Sequence, residues 1–88
     1  MQLKCWGVRG SIASPGPDTA KYGGNTSCYE ALNDAGQRLI LDCGTGVRKL
    51  GLELLNSMPV TVPILIYHTH WDHIQGFPFF FPTFIPGN

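Results

Sequence analysis

No stretch of this 88-residue chain approaches the ~20 consecutive apolar residues that a membrane-spanning helix needs. Its first residues, Met1-Gln2-Leu3-Lys4-Cys5-Trp6, lack the charged segment followed by an apolar one that marks a secretory leader. Cysteine is sparse and poorly spaced for cross-linking, with three residues, Cys5, Cys28 and Cys43, and no Cys-x-x-Cys pair. That odd, scattered set argues against a disulfide framework and against a thiolate zinc site; it points to free, mostly buried thiols and a cytoplasmic location. Charge is scarce too: six Lys and Arg balance six Asp and Glu. Only Arg48 and Lys49 are adjacent, and they read as a solvated helix face, so there is no basic patch for nucleic acid or an anionic membrane. No internal repeat, low-complexity tract or linker divides the chain, and its length allows one small domain with a thin core.

What is present reads as alternating strands and helices. Residues 2 to 8 alternate Leu3, Cys5 and Gly7 against Lys4, Trp6 and Val8, the period of a strand with one buried face. A long stretch of turn chemistry follows over residues 13 to 25, including Ser14-Pro15-Gly16-Pro17-Asp18 and Tyr22-Gly23-Gly24-Asn25. A loop of this length in a small domain is expected near a functional site. Residues 26 to 32 and 37 to 42 read as two strands of a hairpin around Asn33-Asp34-Ala35-Gly36. Val47, Leu50, Leu54 and Leu55 then recur on one helical face, with Thr45 as N-cap and an end near Asn56, before Pro59. Residues 63 to 67, Pro-Ile-Leu-Ile-Tyr, form an apolar run of the buried-strand type.

The chemistry gathers directly after that run. All three histidines fall within His68-Thr69-His70-Trp71-Asp72-His73. A neutral imidazole is the commonest protein metal ligand, and residues two apart at a strand end point to one side, so His68 and His70 can share an ion. Asp72 and His73 follow in a turn and can reach a second one. A solvated polar loop is the plainer reading, but four ligand-type residues at the end of a rigid strand favour a metal site.

Two neighbouring features admit more than one reading. Asp42 ends the third strand in Asp42-Cys43-Gly44-Thr45-Gly46, either capping the turn or orienting a ligand histidine. Gly44-x-Gly46 lacks the Gly-Lys-Ser/Thr ending of a phosphate-binding loop. All five phenylalanines lie within residues 77 to 84. They are expected to form a short helix around residues 78 to 81 whose rings complete the core, or else to line a substrate pocket or a homodimer interface.

On these residues the chain resembles the amino-terminal part of a metallo-β-lactamase-fold hydrolase. The resemblance rests on His68-x-His70-x-Asp72-His73, the apolar strand before it, and Leu41-Asp42-Cys43-Gly44-Thr45-Gly46. Gly7-Val8-Arg9-Gly10-Ser11, Tyr22-Gly23-Gly24-Asn25-Thr26-Ser27 and Thr69-His70-Trp71-Asp72-His73-Ile74-Gln75-Gly76-Phe77-Pro78 resemble its tRNase Z-like and cyclic-nucleotide-phosphodiesterase-like branch. Tyr67 and Ala13 depart from that branch, which has a small hydroxyl residue and a proline there.

The resemblance implies an α+β fold, the first portion of an αββα sandwich, with a mixed, mostly antiparallel sheet, one amphipathic helix and a second short helix after the metal motif. It implies two divalent ions, zinc with manganese or iron as alternatives, the first on His68 and His70 and the second on Asp72 and His73. Asp72 would be catalytic, orienting a hydroxide that attacks a small-molecule or nucleotide phosphodiester, and Asp42 would support the site from behind. The family completes its site with later histidines and an aspartate, whereas here no histidine follows His73 and no acidic residue follows Asp72. Residues 1–88 are therefore expected to be an incomplete domain, inactive alone. The alternative is a short protein that binds metal or a partner and catalyses nothing.

Overall fold

The computed structural model describes residues 1–57 and 61–84. Its fold is mixed α+β. Strands β1 (Gln2–Gly7), β2 (Cys28–Leu32), β3 (Arg38–Leu41) and β4 (Ile64–Leu65) form one sheet in the order β1-β2-β3-β4. The first two pairings are antiparallel, and β4 joins β3 in parallel. Helix α1 (Val47–Leu54) follows β3, and the single-turn helix α2 (Trp71–Ile74) follows β4.

The expected hairpin forms because Asn33 organises its own turn. Its side-chain oxygen accepts the N–H groups of Ala35 at 3.0 Å and Gln37 at 2.9 Å, while Gly36 supplies a φ of 82°. Helix α1 buries Val47, Leu50 and Leu54 against Cys28 and Ile40 of the sheet, with Cys43 and Phe80 closing the core. Truncating one of these, Leu50 for instance, costs about 2–5 kcal/mol by the usual scale for buried leucines. Gly51 takes the remaining place on the buried face, where a β-carbon would sit 3.0 Å from Phe80 Cδ1 and 3.1 Å from Pro82 Cδ.

Glu30 is buried on the same side of β2. It pairs with Arg38 at 2.6 Å and accepts the Trp6 indole N–H at 3.2 Å, so three strands share one carboxylate.

Four local expectations are corrected. The α1 N-cap is Gly46 rather than Thr45, because the Thr45 hydroxyl is taken up by the Thr26 N–H at 2.8 Å. Leu55 is exposed rather than buried, since the helix tightens into a 3-10 turn over Leu55–Ser57 and leaves the apolar face; Pro59 lies outside the described residues. The phenylalanine segment forms two 3-10 turns, Phe77–Phe79 and Phe81–Phe84, separated where Phe80 becomes extended. Of its first four rings only Phe80 enters the core.

The fourth correction concerns the open side of the sheet. Residues 63 to 67 are not a buried strand: only Ile64 and Leu65 pair, and Leu65 is 55% and Tyr67 86% exposed. On β1, Leu3 and Cys5 are likewise exposed, and Trp6 from the other face packs on the core. An apolar run needs cover on both sides of a sheet to be buried, and α1 covers one. Leu3, Tyr29, Leu41 and Tyr67 therefore line an open concavity of about 420 Å³ that also reaches Ser27, Asp42 and His73.

Burial pushes the Cys28 thiol up from 9.0 to about 12, helped by Cys43, Asp42 and Glu30, and pushes Cys43 up to about 11, helped by Asp42. In the fold these thiols keep their protons at a pH where unfolding would release them. Their contribution to stability is therefore complete below about pH 9 and is lost as pH rises toward 11 to 12. The thermal midpoint should fall as pH is raised above 9. A disulfide reagent near neutral pH should titrate Cys5 rapidly and Cys28 and Cys43 only in denaturant; rapid labelling of all three in the folded chain would contradict this packing.

Candidate metal centre

The site is built around the turn that joins β3 to α1. Asp42 follows the last residue of β3 and takes a φ of 67°, a left-handed conformation that aspartate tolerates better than most residues. Its main chain remains tied to the sheet, the Asp42 N–H donating to Leu65 O at 2.7 Å. The carboxylate is 4% exposed and accepts three hydrogen bonds: the Tyr67 N–H on Oδ1 at 2.7 Å, and the Ser27 hydroxyl and His73 Nδ1 on Oδ2 at 3.0 and 2.7 Å. The carboxylate thus bonds the His73 ring and the main chain of Tyr67 rather than the N–H groups of its own turn.

The backbone around it locks α2 in place. Cys43 N–H donates to His73 O at 2.9 Å, and Gly76 N–H returns to Cys43 O at 3.0 Å. Thr26 and Thr45 exchange N–H to hydroxyl bonds, both 2.8 Å, which close the turn against the segment leading into β2. Gly76 lies so near Gly44 O that a β-carbon there would overlap it, so the approach of α2 depends on glycine.

With Nδ1 turned to Asp42, His73 points Nε2 away from that carboxylate, the nitrogen a neutral ring would offer as a metal donor. Asp72 Oδ2 lies 3.5 Å from that nitrogen. The His68 ring stands beside the His73 ring, centroids 3.9 Å apart. One ligand atom each from His68, Asp72 and His73 lies within 4.8 Å of the others. Donors about 2.0–2.2 Å from a tetrahedral ion are about 3.4 Å apart, so atoms within 4.8 Å of one another could hold one divalent ion if the side chains draw closer. An anionic oxygen with two imidazoles suits zinc and manganese alike.

The structure thus gathers the expected residues but groups them differently. His68 joins Asp72 and His73, whereas His70 stands edge-on to His68, with centroids 4.6 Å apart, outside the group of three. Strand alternation does not govern the 68/70 pair because β4 ends at Leu65. His70 instead begins α2, where its carbonyl accepts the His73 N–H at 3.0 Å.

The Asp72 carboxyl is held below the usual carboxylate range. The main cause is the Ser11 N–H on Oδ2 at 3.1 Å, with His73 and His68 adding to it, so the group is ionised near neutral pH. Neither Ser11 nor Ser27 is among the expected site residues.

No protein-family model, no curated protein and no solved structure matches this chain. The likeness to metallo-β-lactamase-fold enzymes therefore stands on the quoted residues alone. Among the described residues no helix is long and apolar enough to cross a membrane.

Substituting Asp42→Asn should turn the orienting bond around. Asparagine keeps the volume and tolerates the left-handed backbone, but its amide can face His73 Nδ1 as a donor. The expected result is a stability loss of about 1–3 kcal/mol and a switch of His73 away from the Nδ1-protonated tautomer. Long-range proton–nitrogen correlations of the imidazole read this directly, and an unchanged tautomer would contradict the assigned role.

Proposed function

We propose that His68, Asp72 and His73 hold a divalent metal ion, with His70 beside them, and that the domain is a metal-dependent hydrolase of phosphodiesters. The observation that carries the metal reading is the convergence of three donors within 4.8 Å, one of them oriented by a buried carboxylate. That pairing of an outer carboxylate with a ligand histidine is the arrangement that raises imidazole basicity and fixes its direction at metal sites. The hydrolytic reading comes from the resemblance to metallo-β-lactamase-fold enzymes, which also gives the phosphodiester substrate class and zinc, with manganese or iron as alternatives. When bound, a divalent ion supplies Lewis-acid stabilisation of phosphoryl oxygens and lowers the pKa of water.

This chain's own residues have separable tasks in that reading. Asp42 orients His73, Asp72 brings the negative charge, and His68 and His73 give neutral donors. A two-ion centre would use His70 as well and would draw its remaining ligands from outside these 88 residues. Three donors on one ion, with an apolar sheet face left open beside them, also suit the second reading, a metal-binding or interaction module without catalysis.

Calorimetric titration with Zn²⁺ and Mn²⁺ tests the metal site. Binding of at most one ion per chain is expected, lost in Asp72→Asn and His73→Ala and weakened less in His70→Ala. No binding by the unsubstituted chain would refute the site. The 88-residue chain should not turn over an activated phosphodiester; turnover abolished by His70→Ala would overturn the expectation of inactivity.

A further inference from the structure

The turn Gly7-Val8-Arg9-Gly10-Ser11 contributes no metal-ligand side chain, yet its last residue touches the metal group. The Ser11 main-chain N–H donates to Asp72 Oδ2 at 3.1 Å, bridging 61 positions of sequence. To aim it there Ser11 takes a φ of 70°, a conformation uncommon outside glycine, asparagine and aspartate. Several bonds hold the turn in that shape. Arg9 N–H donates to Asn25 O at 3.0 Å, Arg9 Nε to Ile12 O at 2.6 Å, and Ile12 N–H to Gly10 O at 3.0 Å. The donor is thus presented by an anchored backbone rather than by a rotatable side chain.

We propose that Ser11 is a positioning residue whose backbone N–H fixes the Asp72 carboxylate facing His68 and His73, so that the three donors are ordered before a divalent ion arrives. The inference rests on the metal-binding reading above. The Asp72 side chain is 16% exposed, and a ligand fixed in advance loses less freedom on binding. The N–H bonds Oδ2, the oxygen that lies 3.5 Å from His73 Nε2, so one contact sets the side-chain torsion of Asp72 relative to the neighbouring ligand.

Semisynthesis joining residues 1–27 to a fragment beginning at Cys28 can replace the Ser11 amide with an ester, removing the N–H while keeping the side chain. Zn²⁺ affinity, measured against a chromophoric chelator, should fall about tenfold, as for loss of other outer contacts to metal ligands. The melting temperature of the metal-free chain should change little. In an Asp72→Ala background the ester should have no further effect on Zn²⁺ binding, which separates positioning of Asp72 from general support of the fold. Ser11→Gly keeps the N–H and relaxes the backbone, so it should bind within about twofold of the unsubstituted chain. If the ester prevents folding, Ser11→Val serves instead: it keeps the N–H but disfavours the left-handed turn, and about tenfold weaker binding than Ser11→Gly is expected. Equal Zn²⁺ affinity of the folded ester and amide chains, or of the valine and glycine variants, would overturn the inference with the metal reading intact. An unsubstituted chain that binds no Zn²⁺ would remove the metal reading and this inference together.

Discussion

The buried carboxylate of Asp42 is the contact on which the arrangement depends. One side chain accepts from Ser27 ahead of β2, from the main chain of Tyr67 beyond β4, and from His73 in α2. Burying a carboxylate is costly unless its oxygens are satisfied, and here three donors surround it. The same bonds that offset its desolvation draw three separate segments to one point. Of the clustered side chains, His73 is placed directly by Asp42, Asp72 precedes it in the chain and is held by the Ser11 N–H, and the His68 ring stands beside the His73 ring. Fold and site share one polar interaction, whereas in most domains the core is apolar and the site is added at its edge.

The apolar part of the structure is lopsided by comparison. Helix α1 covers one face of the sheet and, among the described residues, gives a core of seven buried apolar residues. Leu3, Tyr29, Leu41 and Tyr67 remain on the other face beside the site. Burial at about 25 cal/mol per Å² can count only for the covered face, so polar connections carry an unusual share of the tertiary order. The Glu30–Arg38–Trp6 group across β1, β2 and β3 is one such centre, and the Asp42 group, joining the segments ahead of β2 and after β4 to α2, is another.

Much of this could be read from residue order. The hairpin over β2 and β3, the amphipathic α1 and the histidine cluster after an apolar strand each follow from a local pattern: turn chemistry at Asn33 to Gly36, period 3.6 from Val47, and ligand residues spaced within six positions. What could not be read depends on long-range partners. Thr45 has the chemistry of an N-cap, and only the presence of Thr26 redirects its hydroxyl. Residues 63 to 67 have the composition of a buried strand, yet burial is decided by what covers the sheet, which no local window contains. The grouping of His68 with Asp72 and His73 also escaped the sequence, because the strand stops at Leu65 and the alternation that would have paired His68 with His70 stops with it. The resemblance to a hydrolase family likewise implies His68 with His70 and Asp72 with His73, whereas the geometry brings His68 to Asp72 and His73.

Backbone strain shows where the chain gives up local comfort for the site. Among the described non-glycine residues, two have positive φ, Ser11 at 70° and Asp42 at 67°. They lie in separate segments, one in a turn after β1 and the other at the end of β3. Both act on the same group: Ser11 through its N–H on Asp72, Asp42 through its carboxylate on His73. Conformations of this kind cost of order 1–3 kcal/mol each and persist where surrounding contacts over-determine them. At Asp42 those contacts are the three donors to its carboxylate, and at Ser11 they are the Arg9 and Ile12 bonds that brace the turn. A purely structural turn at either position would be served more cheaply by glycine. A serine and an aspartate in left-handed backbone, aimed at neighbouring ligands of one prospective ion, concentrate the strain of this small domain on the His68, Asp72 and His73 cluster.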